Sequence, residues 1–270
     1  MTSSSPCDPP GPARRPTPSR PSAPLRDRRV VGLGVLLLLA ATATVTLARA
    51  GERATAPATA DGGRTSYAAR ADGQPRPATY PRTGTGDFAT APGESPVRGT
   101  DGPLLHYRVA VEQGTGQDVD SFAATVDEVL GDPRSWIASE ELRLRRVAQA
   151  DDADFTVHLA TPETSERMCA EGGLSTGGHT SCRLPGQVII NLARWLQAVP
   201  DYGAPLAIYR AYVVNHEVGH ELGEEHQACP GPGEPAPVMQ QQTYGLDGCA
   251  ANAWPYVDGS RYDGEVVPGT

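Results

Sequence analysis

The chain has 270 residues and a formal net charge of −9, and all 23 of its basic residues are arginine. The charge is divided unevenly: residues 1–100 carry 13 arginines against 7 acids, and residues 101–270 carry 10 against 25. An acidic C-terminal part gives no ground for a nucleic-acid or anionic-lipid partner there, and the length exceeds one average domain.

Residues 1–29 are rich in Pro, Ser and Arg without apolar periodicity, as in a disordered tail. Residues 30–48 form an uncharged apolar run. As a helix, such a run spans roughly 28 Å, close to a bilayer core. Six arginines from Arg14 to Arg29 precede the run and only Arg49 and Arg53 follow closely, so the N-terminus is expected in the cytoplasm and the remainder outside a cell membrane. The rival expectation is cleavage at Ala48-Arg49-Ala50, which would release a secreted protein; both export the rest of the chain. Residues 49–100, dominated by Ala, Gly, Pro, Thr and Arg, are expected to be a flexible linker.

The folded domain is expected over residues 101–270, with its first strand from Leu105 to Glu112. A helix follows from Asp118 to Leu130, with Phe122, Val126, Val129 and Leu130 on one face and Gly131 ending it. Residues 142–147 alternate at period two, and 155–159 and 187–191 are further short apolar runs, all read as strands. His106 and His158 fall inside strand patterns, where packing or surface roles are the ordinary ones. His179 lies in a cysteine-flanked loop that could approach a cleft. Arg143, Arg145 and Arg146 read as a solvated strand face, and Trp136, Trp195 and Trp254 as core or rim aromatics.

Pro205 and the spacing of Leu206, Tyr209, Val213, Val214, Val218 and Leu222 predict a helix over about 205–222, closed by Gly223. It carries His216-Glu217-Val218-Gly219-His220, followed by His226, so three of the six histidines of the chain sit in one H-E-x-x-H-x-x-G-x-x-H pattern. His216 and His220, four apart, lie on one helix face. A turn at Gly223 lets His226 supply a third nitrogen. Three imidazoles and an open position are the donor set of a catalytic zinc rather than a structural one. Glu217, displaced from the ligand direction, is expected to be the general base and then the general acid for an attacking water. Glu221, Glu224 and Glu225 crowd the C-terminal end of this helix, where the macrodipole disfavours anions. Three readings stand: simple tolerance at an exposed end, compensation by a bound cation, or attraction of a basic substrate.

Of five cysteines, Cys7 stands apart, and Cys169, Cys182, Cys229 and Cys249 form an even set with no zinc-ligand spacing, so two disulfides are expected. The local pairing is one of the three connectivities open to them.

The motif resembles the metzincin clan of zinc endopeptidases, which follow it with a methionine turn; Pro237-Val238-Met239-Gln240-Gln241 is similar to that turn. The resemblance implies an α+β zincin fold, a mixed sheet with an active-site helix and a loop-rich C-terminal lobe. It further implies one Zn2+, Met239 as an apolar floor, and a peptide bound along an edge strand. Several metzincins carry a tyrosine two residues past the methionine, where this chain has Gln241; Gln241 or Tyr244 could assist the oxyanion. Over about residues 100–258, with Cys229-Pro230-Gly231-Pro232-Gly233 and Trp254-Pro255-Tyr256, the chain also resembles an actinobacterial family of membrane-anchored proteins, domain of unknown function 3152. The expected activity is extracytoplasmic peptide hydrolysis on a peptide or protein in the cell envelope or outside it. The alternative is a zinc-stabilised envelope-binding module without turnover.

Overall fold

The computed structural model describes residues 79–268. The expected tail 1–29, the anchor 30–48 and residues 49–78 of the expected linker lie outside the described residues. Among the described residues no helix is long and apolar enough to cross a membrane.

One mixed sheet organises the domain. Its strands are β1 (Phe88–Thr90), β2 (Leu104–Glu112), β3 (Arg143–Arg146), β4 (Phe155–Ala160), β5 (Cys182–Leu184) and β6 (Gln187–Asn191), in the order β1-β2-β4-β6-β5. β2, β4 and β6 are parallel, while β1 and β5 run antiparallel at the two edges. β3 pairs in parallel with Leu104–Tyr107, sharing with β1 one side of β2. The period-two pattern places Tyr107, Val109, Val111, Val157, Leu159, Val188 and Ile190 on one face, all buried. That face packs on α1 (Val119–Leu130), α3 (Leu192–Gln197) and α4 (Leu206–Glu221). The opposite face, with Ala160, Cys182, Leu184 and Ile189, is covered in part by α2 (Pro162–Glu171). The observed fold is thus α+β with a mixed sheet.

Local chemistry explains the helix ends. Asp118 caps α1 by accepting from Ser121 N at 2.8 Å, and Asn191 caps α3 through Ala193 N at 2.9 Å. Pro162 opens α2 in a position where a missing N–H costs nothing. α2 and β5 had no clear signal in the sequence, because α2 carries few apolar residues and β5 is three residues long.

The fold begins earlier than expected. Residues 79–100, assigned above to the linker, belong to it. β1 pairs with β2, Arg98 and Leu144 exchange hydrogen bonds of 2.8 and 2.9 Å, and the Glu112 carboxylate accepts from Gly86 N at 2.8 Å. Glu112 also accepts from Thr161 N and Thr164 Oγ1, both at 2.7 Å. Burial works to raise its pKa, but the donors, Thr164 first, prevail and lower it. The segment is held by main-chain pairing and one buried carboxylate, which hydrophobic periodicity does not report.

Candidate metal centre and cleft

α4 begins after Pro205 and ends at Glu221, within one residue of expectation at each end. Its end is a Schellman turn: Gly223 has φ +96°, its N–H donates to His220 O at 3.2 Å, and Glu224 N donates to Gly219 O at 2.9 Å. This reversal carries the chain back along the helix and brings His226 to the other two histidines. Ligand atoms of His216, His220 and His226 lie within 4.8 Å of one another, and the Nε2 atoms of His220 and His226 are 3.0 Å apart.

The donor set fits a metal ion. His216 Nδ1 meets Val238 O and His220 Nδ1 meets Glu224 O, each at 2.8 Å. These carbonyls only accept, so each Nδ1 carries the proton and each Nε2 keeps a lone pair. Burial, then the neighbouring His220, drives the pKa of His216 well down and that of His226 to about 4; burial also lowers His220. All three are held neutral, the form that binds a cation. His216, His220 and His226 could therefore hold a metal ion.

Glu217 is only 6% exposed yet lines the same cavity, and burial pushes its carboxyl up to about 8. The cavity holds about 670 Å³ and is bounded by α4, by β5 with the loop before it, and by Gln241, Thr243 and Tyr244. Gln241 and Tyr244 thus both face the space beside the histidines. Tyr212 closes its base, with its ring 5.3 Å from that of His216 and its hydroxyl donating to Gln240 O at 3.1 Å.

Met239 is fully buried against α4. A Cβ on Gly219 would come within 2.5 Å of Met239 Sδ and 2.6 Å of Trp136 Cζ2. Gly219 therefore serves close approach between the helix and the Val238-Met239 turn that orients His216. The back of the helix is pinned by Asn215, fully buried. Its side chain accepts from Ser135 Oγ at 2.7 Å and donates to Ala253 O at 2.9 Å, while its carbonyl accepts from Trp136 Nε1 at 2.9 Å. Sequence reasoning missed both residues; a polar Asn on a buried helical stripe was the available signal.

Two of the three acids at the end of α4 are paired, which removes Glu221 and Glu224 as free attractors of a basic substrate and leaves that reading to Glu225. Arg183 of β5 binds Glu221 at 2.5 Å, and Arg261 binds Glu224 at 2.9 Å while its guanidinium stands 4.8 Å from the Trp136 ring centroid. Glu225 is exposed on the cleft wall and forms no ion pair among the described residues.

A wall the sequence did not foretell comes from the C-terminal part. Ala228 N donates to Glu265 O at 2.8 Å and Val267 N to His226 O at 2.9 Å, so residues 265–267 run antiparallel beside the third histidine, and Val267 and Pro268 line the cleft. The other candidates lie elsewhere. His106 and His158 stand in the sheet. His179 lines a smaller neighbouring pocket, its ring 6.0 Å from that of Tyr244. The cysteines form Cys169–Cys182, tying α2 to β5, and Cys229–Cys249, closing the loop that contains Met239.

Residues 74–257 match a protein family described as Protein of unknown function (DUF3152). No curated protein matches the chain, and no solved structure does.

Proposed function

We propose that this chain, which by that match belongs to the DUF3152 family, is a zinc-dependent endopeptidase of metzincin type, acting outside the cytoplasm. The observation that carries the proposal is Glu217. It is a buried carboxyl, not one of the three clustered histidines, and it opens onto the same cavity. A structural role offers no reason to bury an acid there against its desolvation cost.

His216, His220 and His226 would hold the ion. Zinc in that position supplies a Lewis acid and makes water nucleophilic at neutral pH. A cation bound at the histidines would hold Glu217 ionised against its burial, so that it would take the proton of the attacking water and pass it to the leaving nitrogen. Gln241 and Tyr244, which line the same cavity, are the proposed donors to the carbonyl oxygen, and the edge strand β5 is the proposed rail for an extended peptide. The N-terminal run 30–48 is the proposed membrane anchor.

The test uses the full chain with its disulfides formed, as wild type and Glu217→Ala. Both are expected to bind one zinc. Only the wild type should cleave a diverse peptide library, and chelation should abolish that. The expected loss in kcat/KM on Glu217→Ala is about 100-fold or more. Equal zinc with no cleavage by either protein would transfer the proposal to the non-catalytic binding module. No zinc in the folded wild type would end both.

A further inference from the structure

The cleft is more apolar at its rim than the acidity of the domain suggests. Among the described residues the large apolar side chains with the greatest exposure are Val97, Leu174, Tyr244 and Val266, at 43, 44, 59 and 56%. Leu174 and Tyr244 line the cleft, and Val266 precedes Val267 and Pro268, which also line it. The apolar residues that line the cleft come from three segments distant in sequence: the loop between α2 and β5, the turn after Met239, and the extended segment 265–268 beside His226. Single exposed apolar residues are ordinary on any surface, but convergence of three segments on one groove is the mark of a binding surface.

Around the groove, Glu225 is the one acid at the end of α4 that forms no ion pair among the described residues. Two of the acids at the end of α4 are cancelled by arginines, Glu221 by Arg183 and Glu224 by Arg261. Arg261 also meets Asp263 at 3.0 Å. The loop carrying Leu174 is held in place rather than left free to admit a large charged group. The Glu166 carboxylate accepts from Thr176 N at 2.8 Å and from Gly178 N at 3.1 Å, and Cys169–Cys182 fastens both ends.

We infer that the cleft takes an extended peptide segment bearing apolar side chains next to the attacked bond, and that Leu174, Tyr244 and Val267 set this preference. The inference rests on the peptidase reading, and its test separates the two. The full chain is assayed on quenched peptides of one scaffold, varied from Leu, Val and Phe to Arg and Asp around the bond. Apolar members are expected to exceed Arg-bearing ones by about tenfold or more in kcat/KM. Leu174→Arg and Val267→Arg should each lower kcat/KM for apolar peptides by about tenfold and raise it for Asp-bearing ones, with bound zinc unchanged. A wild-type preference for Arg-bearing peptides, or a profile unmoved by Leu174→Arg, would overturn the inference while the peptidase stands. Where nothing is cleaved, binding of the same peptides to the Glu217→Ala chain decides. Selective binding of apolar members keeps the inference and removes the peptidase, and binding without selectivity, or none, removes both.

Discussion

Two halves of the domain reach order by different means. Between Leu104 and Asn191 most residues belong to strands or helices whose main-chain groups satisfy one another, leaving side chains to fill a core. From Gly223 to Pro268 the only regular elements are the two-residue strands Tyr256–Val257 and Ser260–Arg261. Yet this second half supplies His226, the carbonyl that orients His216, and two walls of the cleft. Its main chain is held by side chains. Gln242 donates to Pro237 O at 3.1 Å and Asn252 O at 2.7 Å and accepts from the Tyr202 hydroxyl at 2.9 Å; Asn252 donates to Ala236 O and Trp254 O at 2.9 and 3.0 Å. A sheet distributes its order over many equivalent bonds, whereas this half concentrates it in a few polar residues and one disulfide.

That contrast can be broken most strongly at Cys229–Cys249. Replacing both cysteines by serine opens a loop of sequence separation 20 that contains Met239. The chain-entropy model puts the loss at about 3 kcal/mol, read as a lower midpoint in denaturant. Bound zinc should weaken in parallel, because the loop carries the Val238 carbonyl. Opening Cys169–Cys182 should cost a similar stability yet leave zinc affinity nearly intact, since that bridge fastens α2 to β5.

Next comes Gln242→Ala. It strands a buried tyrosine hydroxyl and two carbonyls, at a cost of about 2 kcal/mol. Calorimetry should show reduced zinc affinity with the sheet intact by circular dichroism. Unchanged zinc binding would show that the second half keeps its geometry without this amide.

The smallest effect sharpens the contrast from the sheet side. His158 on β4 packs edge-on to Phe88 at 4.9 Å, and burial, helped by Arg108, lowers its pKa to about 4. Unfolded, the imidazole takes a proton as pH falls through about 6.5. Folded, it resists until about 4. The unfolded state therefore binds more protons in that window, and stability drops as pH falls from 6.5 to 4. The partial exposure of the ring reduces the loss to about 1–2 kcal/mol. The difference between wild type and His158→Gln isolates it from the metal histidines, and a flat difference profile across that window would remove His158 as its cause.

Features that depend on neighbours within a few residues were legible in the amino-acid order. Apolar spacing set α1 and α4, period-two alternation set β3, short apolar runs set β4 and β6, and the placing of His216, Glu217 and His220 on one stretch of α4 follows from helical geometry alone. Gly223 announced the reversal because no other residue adopts that φ without strain. The remainder rests on contacts between segments far apart in the chain. β1 and residues 79–100 join the sheet through backbone bonds and Glu112, neither of which leaves an apolar pattern. Glu221 and Glu224 look like an unpaired acidic cluster until Arg183 and Arg261, 38 and 37 residues away, are brought to them. Gly219 looks like a weak point in a helix until Met239 and Trp136 are packed on it. The antiparallel pairing of residues 265–267 beside His226 is invisible from either segment, because such a pair is written in the register between two stretches and not in the composition of one.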